Sequence, residues 1–556
     1  MRRFYTLSFL PLWLLFWVIT ALLYGIAWRS GFERDFHGWF QMYHSKSFAD
    51  LLNRKGLGIT SLYQGTQLQL WAWTKLFGTH LIPWFLLQTS LYAAAAALLT
   101  TFFRKFYVDF GWRRALPVAF WGSLFALVAP HNAEIVVWKA SYHYPVAVLL
   151  LVGVLFFFRK AILENSGKSL FWALVLYAFS TFTLELFYAT LPLAALMAVL
   201  YFRKKGAENP FYKQQMLIGL SAMLGLFLFH FLLYRLIYNG YIPHQQEDLE
   251  ILLAAPTKGF GHFFQDEFHL LFQGRYWPIE NRLAVYQALD STTGGVVAMI
   301  LLALVGIGML LAALRWQRFG PLALLVTGAL IGALMIVSYW VPDFGLYYND
   351  RYLYFTSLFQ WQIVAVLFFR APRPAATALA VLLTLALSII TLYTALQLRR
   401  SAKIFWRLME DYRWKAYDKG PVILLNTPAH YKGIFIYQES PDGSDLNSHL
   451  QIYTGDSARI HPQVVAGYHM EDTTDGVRVL AESDSVFYVT LIRPGLWYWN
   501  RTLGASDHEN NLYKMKLDEW SHQYKLTLKD TSALLLYFNR GRWHEVDKAK
   551  RGVEQE

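Results

Sequence analysis

The chain contains no cysteine, which excludes a disulfide scaffold, a cysteine-ligated zinc or iron–sulfur centre and a thiol nucleophile. Charge is scarce as well: 16% of 556 residues, against roughly a quarter in a soluble globular domain. That scarcity, with a hydrophobic content of 55%, argues against a string of ordinary soluble domains. The apolar residues are gathered into blocks of roughly the 17–25 residues that cross a bilayer. Internal repeats and low-complexity tracts are missing. No nucleic-acid-binding motif accompanies the net charge of +12, so nucleic acid is not an expected partner.

What is present is a ladder of apolar runs. The first, 8–27, follows Met1-Arg2-Arg3 in the manner of a signal peptide. No small-residue cleavage site follows it, and Trp28-Arg29-Ser30-Gly31 leads into an acidic, aromatic stretch, so it reads as a retained span. Further runs lie near 82–103, 115–130, 144–158, 170–183, 187–202, 215–238, 294–314, 320–341, 352–369 and 374–396, giving about eleven candidate spans. The block 169–203 is long for one span and short for two, and reads as two short helices turning near Thr183–Glu185.

Cations set the expected orientation. With the N-terminus cytoplasmic, the inside loops hold Arg104, Lys105, Arg113, Arg114, Arg159, Lys160, Arg203, Lys204, Lys205, Arg315, Arg318 and Arg370, while the outside loops are longer and poor in cations. An odd number of spans then puts residues after 396 outside. The expected organisation is a polytopic α-helical membrane domain, 1–396, with outer loops 28–81 and 239–293, and a soluble extracytoplasmic α+β domain, 397–556. The expected location is the inner (plasma) membrane, with the C-terminal domain periplasmic. Within the outer loops, 36–43 and 66–77 are amphipathic and suited to the interface plane, and 239–293 is rich in aromatics such as Phe260, Phe264 and Trp277. In the tail, 422–426, 433–438, 477–480, 485–492, 525–528 and 533–538 read as strands, and 401–417 and 512–522 as helices.

Charged groups at span ends are costly and therefore candidates for function. Four clusters fall on the outer face. Glu33, Asp35 and His37 follow the first span, where a carboxylate can serve as general base on an acceptor hydroxyl. His131, Glu134 and Lys139 lie between the third and fourth spans; His131 and Glu134 are three apart, as on one helix face, although a capped interfacial helix anchored by Trp138 reads the same way. Glu185 stands in the turn of the short helix pair and requires a partner, Arg235 or Lys139 for instance, or a water-filled cavity. Asp350, Arg351 and Tyr352 open the tenth span, the guanidinium offering a planar fork suited to phosphate. The plain alternative is an Asp350–Arg351 interface anchor.

Taken in order, these segments resemble the GT-C superfamily of membrane glycosyltransferases, and most nearly its transmembrane O-mannosyltransferases that carry tetratricopeptide repeats. Asp35 occupies the place of an acid after the first span. Tyr63 to Leu91 resembles that family's Tyr-Arg-Pro-Leu segment, 129–138 its His-Thr-Glu-Ala-Val segment, 182–193 its Ser-Lys-Glu segment, and 349–358 its Glu-Arg-Tyr-Leu-Tyr-Pro-Ser segment, the most distinctive of them. The resemblance implies a polyprenyl-phosphate sugar donor, membrane lipid around it, and hexosyl or pentosyl transfer on the outer face. The acceptor stays open between protein, glycan and lipid. Asp35 would be the base, Glu33 its acidic neighbour, and Arg351 a donor-phosphate contact; Glu134 and Glu185 match the acids of their segments, with His131, Lys139, Asp350, Tyr352 and His37 beside them as donor or acceptor contacts. The chain departs from the pattern at Arg34, where a second acid is usual, at Gln64-Gly65 in place of Arg-Pro, and at Leu184 in place of lysine; the repeats are absent. No cofactor is expected. The scheme needs no metal, and the sequence leaves a divalent ion open. Two other readings use the same buried charges: a transporter or flippase for a lipid-linked glycan, and an inactive GT-C relative acting in envelope assembly.

Overall fold

A computed structural model describes residues 8–31, 36–52, 62–206, 210–238, 292–337, 350–411, 420–437, 462–493, 497–499, 502–503, 507–518 and 522–555, with isolated positions between 270 and 288. The chain forms two units. One comprises Met1–Ile26, Lys46–Val341 and Asn349–Ala395; the other comprises Ala27–Ser45, Pro342–Tyr348 and Leu396–Glu556.

In the first unit each apolar run of the sequence becomes a helix: α1 (Phe9–Tyr24), and then, after α2 (Phe36–Ser45, of the second unit), α3 (Phe48–Leu52) and α4 (Gln64–Phe77), come α5 (Leu81–Asp109) and α6 (Ala115–Val128). A short α7 (Ala133–Val137) precedes α8 (His143–Glu164), α9 (Gly167–Ser180), α10 (Phe187–Tyr201) and α11 (Pro210–Tyr238). The series closes with α12 (Thr292–Arg315), α13 (Gly320–Val337), α14 (Tyr354–Phe368) and α15 (Arg373–Glu410), of which the residues from Leu396 on belong to the second unit. Local chemistry sets the turns. Asn165 takes the left-handed conformation that ends α8, with φ of 49°, and the Ser166 hydroxyl accepts the Ser169 N–H at 3.2 Å to start α9. The block 169–203 is thus two helices, separated at 181–186.

Among the described residues, six helical segments are long and apolar enough to cross a membrane: Phe9–Ala27, Leu81–Asp109, Lys139–Glu164, Lys213–Ile237, Gln317–Met335 and Arg373–Glu410. The pair Ala115–Val128 and Pro130–Val137, bent by 58°, makes a seventh if counted as one span. Helices α9, α10 and α14 have only 14, 15 and 15 residues, about 21–23 Å at the helical rise, against a hydrocarbon core of about 30 Å.

One end of this bundle collects cations. Arg159 meets Asp109 (Nη2 to Oδ1, 2.7 Å), which also accepts the Tyr201 hydroxyl. Trp112 Nε1 donates to the Arg318 carbonyl at 2.9 Å, Gln317 to that of Arg203 at 3.2 Å, and Arg114 to those of Phe369 and Ala371. The loops 109–114, 201–203, 316–319 and 369–371 are therefore neighbours, with Lys105, Arg113, Arg203, Arg315, Arg318 and Arg370 exposed among them.

The second unit is β-rich. Its strands are β1 (Val422–Leu424), β2 (Thr427–Tyr431), β3 (Ile434–Phe435), β4 (Gln463–Val464), β5 (Gly467–Met470), β6 (Val477–Ala481), β7 (Val486–Leu491) and β8 (Trp497–Trp499). They continue as β9 (Thr502–Leu503), β10 (His508–Glu509), β11 (Tyr513–Asp518), β12 (Gln523–Leu528), β13 (Leu534–Asn539), β14 (Arg542–Glu545) and β15 (Glu554–Gln555). Three sheets run β14-β13-β1-β4, β10-β11-β12-β7-β6-β15 and β3-β2-β5-β8-β9, around one core that includes Phe405, Leu408, Val479, Phe487, Leu526 and Phe538. The helix expected at 512–522 is instead a strand, β11, paired antiparallel with β12. Tyr513 and Met515 are buried and Lys514 and Lys516 exposed, a period of two that outweighs the helix propensity of Lys, Met and Leu. Asn510 Oδ1 starts the strand by accepting the N–H groups of Leu512 and Tyr513, at 2.9 Å each.

Candidate functional site

The opposite end of the bundle carries the candidate chemistry, and it begins with a break in the helices. Ala129 is extended, Pro130 opens a 3-10 turn, α7 lasts 5 residues, Trp138 is extended again, and a second 3-10 turn, Lys139–Tyr142, leads into α8. Every residue from 129 to 142 is buried, where the sequence reading allowed an interfacial surface helix. Irregular backbone inside an apolar bundle needs internal partners. They are present. Gln88 Nε2 donates to the carbonyls of Ile135 and Trp138 at 2.6 Å each, Ser141 Oγ to Trp138 at 2.7 Å, Tyr92 to Ala126 at 2.8 Å, and Thr391 to Val128 at 2.6 Å.

This framework presents Glu134, 1% exposed, to a turn far along the chain. The 3-10 turn Asp350–Leu353 opens α14 and brings Arg351 to it: Nη1 donates to Glu134 Oε1 at 2.7 Å and the Arg351 backbone N–H donates to Oε2 at 3.1 Å. The guanidinium lies 4.7 Å from the ring centroids of both Trp138 and Tyr352, and Nη2 donates to the Tyr352 hydroxyl at 3.2 Å. Tyr144, at the start of α8, is in hydrogen-bond contact with Arg351. Arg351 is thus held in plane, its charge compensated and its side chain still 16% exposed. Lys139 is fully buried nearby; its ammonium donates to the Val137 carbonyl at 3.0 Å and stands 5.7 Å from the Phe85 ring. His131 stands in the 3-10 turn that runs directly into α7, three residues ahead of Glu134. Its ring stacks on Trp361 at 6.4 Å.

A second pair of distant segments meets beside the first. Gly65 N–H donates to the Phe182 carbonyl at 2.9 Å, Thr66 Oγ1 to that of Thr183 at 2.6 Å, and the Tyr63 hydroxyl to Glu185. A Cβ on residue 65 would stand 2.9 Å from the Phe182 carbonyl oxygen, so the close approach requires glycine there. The Tyr142 hydroxyl, from the buried break, donates to the Thr66 carbonyl and ties the two pairs together.

Between them opens a pocket with about 420 Å³ of free space, part of it continuous with the outside, lined by Tyr144, Leu184, Glu185, Leu186, Gly332, Met335, Tyr352 and Phe355. Tyr352 and Tyr144, both beside Arg351, line it together with Glu185 and apolar side chains. Such a site can grip an anionic group at the guanidinium and accept hydroxyls at the carboxylate.

The structure therefore brings Glu134, Arg351, Tyr352 and Glu185 together, with Lys139 and His131 in the same buried layer. Glu33 and Asp35 lie outside the described residues, as does the side chain of Asp350; His37 is placed only by its backbone, in α2. The aromatic loop 239–293 also lies outside them, apart from isolated positions. Tyr144 and Tyr142 were not singled out from the sequence, although the run Tyr142-His143-Tyr144 directly after Lys139 is the kind of polar aromatic cluster that marks the end of a span. Among the described residues, no group of three or more His, Asp or Glu side chains is arranged to hold a metal ion. No family model matches the chain, and no curated protein matches it.

Proposed function

We propose that the chain is a membrane glycosyltransferase of GT-C type that moves a sugar from a polyprenyl phosphate to an acceptor on the outer face of the membrane. One observation carries this reading. The four segments that resemble the GT-C pattern meet one another through contacts that reach across up to 217 residues of chain, around a pocket at one end of a helical bundle. Eleven helices, alternating between a cation-rich end and this polar end, support an eleven-span topology with the polar end outside, the three short helices crossing with help from their neighbours.

The chemistry is a single displacement. The acceptor hydroxyl attacks the anomeric carbon, the bond from that carbon to the phosphate oxygen breaks, and the polyprenyl phosphate leaves with the electron pair. Asp35 takes the hydroxyl proton, a contribution of about 10²–10⁴-fold. Arg351, oriented by Glu134, meets the charge that develops on the leaving phosphate, worth about 3–4 kcal/mol. Acceptor choice falls to the β-rich unit together with the loops after α1.

The test is transfer of labelled sugar from polyprenyl phosphates to membrane acceptors by purified protein. Asp35→Asn should abolish transfer with thermal unfolding unchanged. Arg351→Lys, which keeps charge and loses the planar fork, should lower it by about 10²-fold. Normal transfer by Asp35→Asn would remove the base, and absence of transfer from every polyprenyl-phosphate sugar would remove the transferase reading.

A further inference from the structure

We infer that the cation-rich end of the helical unit binds the headgroups of anionic phospholipid, through three arginine-bearing turns that the fold holds side by side. The inference is independent of the transferase reading and needs only that the bundle crosses a membrane.

The surface is made where α5 meets α6, α12 meets α13 and α14 meets α15, at residues 110–114, 315–319 and 369–373. These read Phe-Gly-Trp-Arg-Arg, Arg-Trp-Gln-Arg-Phe and Phe-Arg-Ala-Pro-Arg, so each sets two arginines near an aromatic ring and none contains lysine. Orientation alone does not ask for this, because lysine and arginine serve it equally. Arginine is set apart by a planar fork that meets two phosphate oxygens at once, and by its weaker hydration. Each turn adjoins a segment long enough to cross a membrane, at Asp109, Gln317 and Arg373, which puts its arginines at the level of the headgroups.

The turns are fastened to one another. Trp112 Nε1 donates to the Arg318 carbonyl at 2.9 Å, and Arg114 engages the carbonyls of Phe369 and Ala371. Arg114 thus serves as the clamp, while Arg113, Arg315, Arg318, Arg370 and Arg373 are exposed. The guanidiniums of Arg315 and Arg318 rest 5.2 Å from the ring centroids of Trp316 and Phe319. None of these five exposed arginines forms an ion pair with a carboxylate. Described acids of this end are committed elsewhere: Asp109 to Arg159 and Tyr201, and Glu164 to Lys160 at 3.6 Å. Helices α6, α13 and α15 begin here without an acid in their first turns, so their positive ends add to the field of the arginines. Apolar surface lies next to the cations: Val108, Leu311 and Leu367, one beside each turn, are all more than half exposed. A phospholipid joins a phosphate to acyl chains and matches both, whereas free phosphate matches only the first.

The experiment counts lipid kept by the full chain, by native mass spectrometry, after transfer into detergent from nanodiscs of phosphatidylcholine and phosphatidylglycerol in equal parts. The wild type should keep phosphatidylglycerol in roughly tenfold or greater preference, and the preference should fall as salt is raised. Arg113→Gln, Arg318→Gln and Arg370→Gln should each lower it about fivefold, and the triple variant should keep both lipids alike, with thermal unfolding in phosphatidylcholine unchanged. Lys160→Gln, at the same end and outside the three turns, should leave the preference as it is. Equal retention of the two lipids by the wild type would overturn the inference, a readout that needs no variant. A loss in Lys160→Gln as large as in Arg318→Gln would overturn it too, since retention would then follow the net charge of the end. Displacement of the lipid by inorganic phosphate would reassign the surface to free phosphate, and displacement by oligoglutamate would reassign it to an acidic segment of a partner protein.

Discussion

The two ends of the helical unit handle charge in opposite ways. At one end cations are numerous and mostly exposed, their backbones stitched together by carbonyl contacts such as Trp112 to Arg318. Among the described residues only Asp109, with Arg159 and Tyr201, forms an enclosed polar knot there. At the other end charge is sparse and buried: Glu134, Lys139 and Glu185 are each at most 5% exposed. An exposed cation keeps its hydration and needs no partner, so the first end tolerates changes. A buried ion has exchanged water for specific neighbours, and the second end does not tolerate their loss. The lesson is that a count of charges and their burial are separate readings: the exposed cations are many and, for the fold, interchangeable, the buried charges few and each tied to particular neighbours.

Substitutions can break this contrast, and the largest effect is expected at Glu134. Glu134→Ala leaves Arg351 among Trp138, Tyr144 and Tyr352 without its carboxylate, and should cost about 3–5 kcal/mol as well as all donor binding; thermal unfolding in detergent and lipid-phosphate titration check both. Asp109→Ala is the matched change at the cation-rich end. It should cost about 2–3 kcal/mol, less because Arg159 can reach solvent, while the folded fraction transfers sugar at the wild-type rate. If Asp109→Ala abolished transfer with the fold intact, the two ends would not be functionally distinct. Gly332→Ala tests the packing of the polar end: the added methyl meets the Thr356 Cα and Cβ at 2.8–2.9 Å, and should cost about 1–3 kcal/mol, read by the same melting assay. The smallest effect belongs to the pair of Lys160 and Glu164, 3.6 Å apart and 43% and 57% exposed. Lys160→Ala should shift stability by no more than about 0.5 kcal/mol. A shift above 1 kcal/mol would show that the cation-rich end is not as permissive as its exposure implies.

Much of the fold was legible because hydrophobic periodicity is local. Each of the eleven apolar runs carries a helix, although the last runs on to Glu410 and takes in part of the separate helix expected at 401–417, and strands such as β7 and β13 coincide with the expected 485–492 and 533–538. The strand β11 was missed because Lys-Met-Lys-Leu satisfies both periods, and only pairing with β12 decides between them. The span count is a different matter: among the described residues six helical segments, or seven with the bent pair, are long and apolar enough to cross, against the eleven or so expected. Apolar runs of 14 or 15 residues look alike in sequence whether a helix crosses the membrane or stops inside a bundle. For the site, residue identities were legible and partnerships were not. Glu134 and Arg351 each stood out as charges at span ends, but nothing within either segment says that they form a pair, and the full burial of 129–142 depends on Gln88 and Thr391 from other helices.

That dependence has a consequence for synthesis. The carbonyl of Val128 waits 263 residues for Thr391, and Glu134 waits 217 for Arg351. At about 5–20 residues per second, the chain carries an acid and an unsatisfied kink in its early spans for about 10–50 s before their partners leave the ribosome. The middle of the protein must therefore be inserted provisionally, with water or an insertion partner shielding Glu134, and only the arrival of the last helices completes it. A ribosome stalled before residue 351 would leave a chain whose early helices are all made and whose centre has not yet closed.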